Sequence, residues 1–189
     1  MKKEIRVLGI DDAPFEFDQK EVLVIGTFFR GGQSLDGVLS TYVQKDGDDT
    51  TIKLIESITK SKFCSQLQAI FLDGIAMGGF NVINIDALYQ HTKIPVIIVV
   101  RQRPDLEGLK KTLQSLGMER KYQLMEKAGI PIELQLPQGK IHFQYAGTTE
   151  SKARELLQLC SVNSNIPEAI RVAHLIGAGI VKGESRGRA

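Results

Sequence analysis

Apolar residues along this chain recur with two periods, near two in some segments and near 3.6 in others, and the order in which these periods alternate predicts the architecture. Residues 5–10 and 22–29 read as strands joined by a loop containing Pro14. Gly31-Gly32 signal a turn, residues 38–43 return as a third strand, and Lys45-Asp46-Gly47-Asp48-Asp49 close what should be an antiparallel meander. Residues 50–60 set Ile52, Leu54, Ile55 and Ile58 on one helical face, with Asp49 or Thr50 as N-cap. A strand at 69–73, a glycine-rich loop at 74–80 and a helix at 82–89 follow. Residues 95–100 are so uniformly β-branched that a strand covered on both faces is expected, in the middle of a sheet. Helices at 106–116 and 120–128 meet near Gly117. A hairpin of strands 132–136 and 140–145 turns at Pro137-Gln138-Gly139, and helices at 150–159 and 167–176 complete the chain, the last stopped by Gly177.

Three meandering strands, then helix, strand, helix, strand and further helices, predict an α/β fold of ribonuclease H-like architecture. The expected form is a mixed five-stranded sheet flanked by helices, with a small C-terminal hairpin and helix extension. A doubly wound nucleotide fold would instead need helical crossovers between the first strands. In the favoured architecture the first and fourth strands are central neighbours, so their C-terminal ends bring Asp11 and Asp73 together. With no internal repeat and no linker long enough for a boundary, residues 1–189 read as a single domain. The basic, glycine-interrupted stretch from about 181 to 189 is expected to be disordered.

Composition narrows the function classes. A chain of 189 residues, 42% of them hydrophobic, can enclose one continuous core. The longest apolar run, at 94–100, is far too short to span a bilayer, so no membrane partner is expected. Residues 1–4 lead directly into a strand with no apolar signal segment, which predicts a cytoplasmic protein. Cys64 and Cys160 have no second cysteine or histidine at ligand spacing and read as two buried or half-buried thiols. The net charge of +2 permits nucleic-acid binding without demanding it.

Candidate chemistry gathers at strand ends. The apolar run Ile5-Arg6-Val7-Leu8-Gly9-Ile10 ends on Asp11-Asp12, and Ala69-Ile70-Phe71-Leu72 ends on Asp73-Gly74. A carboxylate ending a buried strand raises the free energy of the fold unless it is paired, hydrogen-bonded or bound to a cation. Both aspartates could also be turn residues bonded to backbone amides, although adjacent carboxylates repel and gain from a cation. His174 lies among Val172, Ala173, Leu175 and Ile176, where a histidine bonded to a core partner is the ordinary case. Arg101, Arg103 and Lys93 have a solvated strand end as their ordinary reading. Gly78-Gly79 lack the lysine of a P-loop and the spacing of a dinucleotide fingerprint, and read as close backbone approach at a site mouth.

The segments Val7-Leu8-Gly9-Ile10-Asp11-Asp12, Ile70-Phe71-Leu72-Asp73-Gly74, Ile94-Pro95-Val96-Ile97-Ile98-Val99-Val100-Arg101 and Ile166-Pro167-Glu168-Ala169-Ile170-Arg171-Val172-Ala173-His174 resemble successive blocks of the endonuclease V family, in the same order and spanning nearly the whole chain. The chain is more similar still to a small, largely archaeal family related to endonuclease V and without an assigned activity. The resemblance implies a magnesium- or manganese-dependent nuclease site acting on DNA or RNA. In it Asp11 and Asp73 match metal-ligating aspartates, His174 falls where the family carries a histidine or aspartate near its metals, and Arg101 stands in place of a lysine. Hard cations prefer such oxygens, and an arginine at the rim can clamp a phosphate. The chain also departs from endonuclease V. The aromatic-Arg-Glu motif that completes that family's metal site is absent, which leaves Asp12, Asp48 or Asp49 as candidate third carboxylates, with Glu56 also nearby; Asp48 and Asp49 read equally as helix caps. The family's wedge motif is missing, and Ile75-Ala76-Met77-Gly78-Gly79-Phe80 replaces its histidine- and arginine-bearing loop, so recognition of inosine in that family's manner is not expected.

The expected site is therefore Asp11, Asp73, His174 and Arg101 as catalytic residues and Asp11, Asp73 and Asp12 as metal ligands. The function expected first is a metal-dependent endonuclease. A noncatalytic nucleic-acid-binding protein that kept the fold is the second, and a structural or assembly protein the third. The sequence leaves the oligomeric state open.

Overall fold

The computed structural model describes residues 5–185. Its first three strands, β1 (Arg6–Asp12), β2 (Glu21–Arg30) and β3 (Ser34–Gln44), form the antiparallel meander. Gly31 and Gly32 make the β2–β3 turn with φ of 62° and 67°, a region that residues bearing a Cβ seldom occupy. Helix α1 (Thr50–Thr59) leads to β4 (Ala69–Asp73), which lies parallel to β1 on the side away from β2. The two-residue strands β5 (Ala76–Met77) and β6 (Asn81–Val82) form a small ribbon, and α2 (Ile85–Thr92) returns the chain to β7 (Val96–Val100), parallel to β4. Beyond it come α3 (Leu106–Ser115), α4 (Glu119–Lys127), the hairpin β8 (Ile132–Leu136) and β9 (Gly139–Ala146), then α5 (Glu150–Cys160) and α6 (Glu168–Lys182).

Strand periodicity divides the core into two layers. Val7, Phe71, Ile97, Val99, Ile141 and Phe143 point to the face covered by α5 and α6. Leu8, Ile10, Ile70, Leu72, Val96 and Ile98 point to the face covered by α1 and α2, against Leu54, Ile58 and Leu88. With helices on both faces, β4 and β7 show no polar alternation, as expected of central parallel strands. Phe71 and Phe143 are among the largest fully buried side chains, and truncating either to alanine would cost about 3–5 kcal/mol.

The sheet has seven strands in the order β3-β2-β1-β4-β7-β9-β8, rather than the expected five. The hairpin is not an appended extension: β9 pairs antiparallel with β7, Ile98 opposite Gln144, and continues the sheet. The physical reason is that β7 would otherwise be an edge strand with apolar side chains on both faces, a template for unwanted pairing. The ribbon β5–β6 turns on Gly78 and Gly79, whose φ values are 61° and 83°; the sequence suggested a loop there. Helix α2 starts at Ile85 rather than 82, because Asn81 and Val82 belong to the ribbon and the Asn84 side chain accepts the Ala87 N–H as N-cap. Gly177 does not stop α6, which continues to Lys182 and ends with Gly183 at φ 78°. A Cβ on Gly177 would lie 3.1 Å from Ala13, so this glycine is a packing position. The tail expected from about 181 thus begins inside α6, and residues 1–4 and 186–189 lie outside the described residues.

Candidate metal centre

Parallel pairing of β1 and β4, with Ile10 in register with Leu72, sets Asp11 beside Asp73 at the C-terminal end of both strands. Alternation fixes which way each carboxylate points. Asp11 follows Val7 and Gly9 onto the α6 face, and Asp73 follows Ala69 and Phe71 onto the same face. Helix α6 lies directly on β1: a Cβ at Gly9 would come within 2.2 Å of the Ala169 carbonyl carbon. Thr27 donates from its hydroxyl to the Ala169 carbonyl at 2.6 Å and fixes the same turn. His174 follows on the same helix and reaches Asp11, its Nδ1 lying 2.9 Å from Asp11 Oδ2.

Asp11, Asp73 and His174 each offer a ligand atom within 4.8 Å of the others. Asp11 is 5% exposed, and its second oxygen, Oδ1, accepts the Asp12 N–H at 2.9 Å. Arg101, one residue beyond β7, places a guanidinium nitrogen 3.7 Å from Asp73 Oδ2. Four of the five expected site residues therefore meet at one end of the sheet.

Asp12 faces the other way. Its Oδ2 accepts the Gly78 N–H at 2.8 Å and ties the β5–β6 ribbon to β1, so its carboxylate lies outside the three-residue cluster. Asp48 and Asp49 are also elsewhere. Asp48 is exposed and lies 3.6 Å from the Lys121 ammonium. Asp49 occupies the N-cap position of α1, yet its Oδ1 accepts from the Gln44 N–H and the Asn81 amide rather than from the helix. Arg103 is exposed, and Cys64 and Cys160 are free thiols, with burial pushing the Cys160 thiol up to about 12.

Electrostatics set this cluster apart. Burial raises the Asp11 carboxyl above its ordinary range, and the nearby Asp12 charge adds to this against the hydrogen bond from His174. Burial and the Asp11 charge push Asp73 up to about 6, even with Arg101 and His174 acting in the opposite direction. His174 is raised chiefly by its hydrogen bond to Asp11. Asp12 is raised by burial, against the Gly78 N–H. Two desolvated carboxylates that repel each other, with a nitrogen donor alongside, hold protons more readily than free side chains do. A divalent cation would compete for those places, and the two carboxylate oxygens suit manganese or magnesium. The donors present fit such an ion.

Two contributors had little or no signal in the sequence. Gly9 did carry one, since a glycine inside a strand often marks close approach of another backbone. Lys121 carried none: it is 7% exposed, and its ammonium donates to the carbonyls of Asp46 and Gly47 at 2.5 and 2.8 Å. Asp46 in turn accepts the Phe80 N–H, and its own N–H donates to the Gly78 carbonyl. A chain of contacts therefore runs from α4 through the β3–α1 turn and the ribbon to Asp12.

Residues 3–181 match the sequence profile of a family described as Endonuclease dU. The chain belongs to this endonuclease dU family. A UPF0215 protein of Methanothermobacter thermautotrophicus is 45% identical over 194 residues, covering 100% of this chain and 94% of its own length. A UPF0215 protein of Thermococcus sibiricus is 38% identical over 192 residues, covering 98% of this chain and 97% of its own. Among solved structures, a protein of unknown function from Archaeoglobus fulgidus superposes with a TM-score of 0.84 at 38% identity, over 94% of this chain and 99% of that one. Endonuclease V of Ciona intestinalis, in complex with a 24mer DNA containing an inosine followed by a ribo-adenosine, has a TM-score of 0.58 at 16% identity, over 92% of this chain and 84% of that one. At that identity the likeness is one of fold, and it identifies the sheet and helices of this endonuclease dU family member as ribonuclease H-like. Among the described residues, no helix is long and apolar enough to cross a membrane.

Proposed function

We propose that this protein is a divalent-metal-dependent endonuclease that cleaves DNA at or near deoxyuridine. The observation that carries the reading is the meeting of Asp11, Asp73 and His174 within 4.8 Å, with both carboxylates raised by burial. The family description supports deoxyuridine as the recognised nucleoside, and the endonuclease V fold supports a phosphodiester as the bond acted upon.

Asp11 and Asp73 would hold the ion, magnesium or manganese, which when bound supplies positive charge to the scissile phosphate. His174 sits at the edge of the pair, with its Nδ1 engaged by Asp11. That hydrogen bond orients the imidazole and favours its charged form, so the ring can release the proton on Nε2 toward the departing oxygen as a water molecule attacks the phosphorus. Arg101 is only loosely paired, 3.7 Å from Asp73, and about a third exposed. Its planar guanidinium can turn from that carboxylate to a non-bridging phosphate oxygen and fix the orientation of the strand. Asp12 contributes from behind, holding the ribbon through Gly78.

One observation favours a second reading, a nucleic-acid-binding protein without cleavage. Among the described residues the cluster contains two carboxylates and one histidine, a smaller charge than two closely spaced divalent ions would need.

Both readings meet in one experiment. End-labelled single- and double-stranded oligonucleotides carrying deoxyuridine, deoxyinosine or neither are incubated in magnesium or manganese with wild type and with Asp73→Asn. Cleavage of the deoxyuridine strand by wild type and not by the variant supports the nuclease. Binding that survives chelation with no cleavage of any strand selects the second reading.

A further inference from the structure

We infer that the cleft between α4 and the N-terminal ends of α1 and α2 is a groove for the phosphodiester backbone of a nucleic-acid strand, seated by Arg120 and Lys127. This inference rests on the nucleic-acid reading above and extends it to a surface away from the metal cluster. The cleft has a volume of about 730 Å³, within the range of clefts that enclose organic ligands. Arg120, Gln123, Leu124 and Lys127 line it at positions i, i+3, i+4 and i+7, one stripe of a helix. The backbone positions of Arg120 and Lys127 are about 10.5 Å apart along the helix axis, comparable to the rise of roughly three nucleotides in a B-form strand.

Charge points the same way. Between Arg101 and Lys127 the chain carries seven basic and four acidic residues, a larger surplus than the net +2 of all 189 residues. The segment made of the α3–α4 hairpin and the loop leading into it is therefore net positive, and its root, at Arg101, lies beside Asp73. The hairpin rests on the ribbon through a small apolar cluster of Leu113, Met125 and Val82, which leaves Arg120 and Lys127 exposed. Asp46 and Asp48 line the facing wall; Asp46 accepts the Phe80 N–H, and the Lys121 ammonium 3.6 Å from Asp48 offsets part of the negative charge there. Asn84, Thr51 and Gln123 add neutral polar groups, and Val82 and Leu124 add apolar surface. Cations with interspersed neutral and apolar groups suit a strand whose phosphates are held without reading its sequence.

The groove also lies on the contact chain to the metal cluster. Lys121, next to Arg120, holds the β3–α1 turn, and that turn holds the ribbon whose Gly78 N–H is bonded to Asp12. This chain of contacts links the groove to Asp12, the neighbour of Asp11 in β1.

The test is fluorescence anisotropy of labelled single- and double-stranded oligonucleotides in the presence of chelator, at low and moderate salt, with wild type, the double variant Arg120→Glu/Lys127→Glu, and Lys152→Glu as control. Lys152 is exposed and sits with Ile5 and Gln68 at the opposite end of the sheet. The expected result is at least a tenfold loss of affinity in the double variant, and a salt dependence shallower by roughly 1.5–2 in log–log slope, with the control unchanged. Manganese binding and melting temperature of the double variant should match wild type. Equal affinity and slope in wild type and double variant, or equal loss in the control, overturns the groove while leaving the nuclease reading in place. Displacement of the oligonucleotide by free nucleoside monophosphate at equal phosphate concentration overturns it in favour of a small-molecule site. Failure of wild type to bind any oligonucleotide overturns both readings together.

Discussion

Gly9 and Ala169 are in backbone contact: the hydrogen on Gly9 that faces α6 occupies space where a Cβ would lie 2.2 Å from the Ala169 carbonyl carbon and 2.4 Å from the Ile170 nitrogen. A helix normally stands off a sheet by the length of its side chains. Here α6 sinks onto β1 at this point, and the depth of that seat determines whether His174 reaches Asp11.

Gly9→Ala should therefore act on both the fold and the site. Backbone atoms on the facing helix cannot rotate away, so α6 must lift or β1 must bend, at a cost of about 2–4 kcal/mol, in the upper range for overpacking a core. Chemical denaturation should show that loss. An NMR titration of His174 should show its pKa falling toward that of an ordinary histidine, as the hydrogen bond to Asp11 is strained.

Cation binding should be visible without any substrate. Manganese at about a hundredfold excess over its dissociation constant should stabilise wild type by about 2.7 kcal/mol, read as a rise in melting temperature. Asp11→Asn and Asp73→Asn should each abolish most of the rise. Asp12→Asn should keep it, because Asp12 is committed to Gly78.

The pH dependence of the metal-free protein follows from the shifts. A carboxyl raised from 3.8 to about 6, as for Asp73, binds its proton more tightly in the folded state. Its contribution to stability is present at low pH and is lost as pH rises from about 4 through 6. His174, raised above 6.5, contributes stability below its unfolded value and loses it as pH rises through its folded value. Both act in the same direction, so the cluster should make metal-free protein less stable at pH 8 than near pH 5.5. Asp73→Asn should raise stability at pH 8 by on the order of 1–3 kcal/mol, and cation affinity of wild type should increase over the same interval. Urea denaturation at several pH values with chelator measures the first two effects, and calorimetry the third.

The Lys121 ammonium should be a structural tie. Lys121→Met retains most of the buried stem and removes the donors to Asp46 and Gly47, leaving two carbonyls without that partner, at about 1–3 kcal/mol. Hydrogen exchange should speed up in α4 and in the turn around Asp46, while β4 and β7 keep their protection.

Much of this arrangement is legible in the sequence, for identifiable reasons. The parallel neighbours β1 and β4 and the meeting of Asp11 with Asp73 follow from strand order and from apolar runs that stop on aspartate. The hairpin's place in the sheet was not legible, because strands 132–136 and 140–145 have a sequence pattern that fits an isolated hairpin as well as a sheet edge. Only the need of β7 for a neighbour decides between them. The path of α6 through Gly177 was hidden for a related reason: glycine ends helices by its backbone freedom, but here it is present for its missing side chain, against Ala13. Lys121 could not be found at all, since an ammonium folded onto backbone carbonyls has the same sequence signature as one in solvent.

The opposite orientations of Asp11 and Asp12 have a consequence for how this protein can change. Two identical residues adjacent in the chain are divided by the strand's alternation, one turned toward the cluster and the other toward the ribbon. Neither can stand in for the other, and a shift of β1 by a single position against β4 would exchange their neighbourhoods. The length of this segment is therefore as constrained as Gly9 and Asp11 themselves, and an insertion that leaves both aspartates in the sequence would still remove the site.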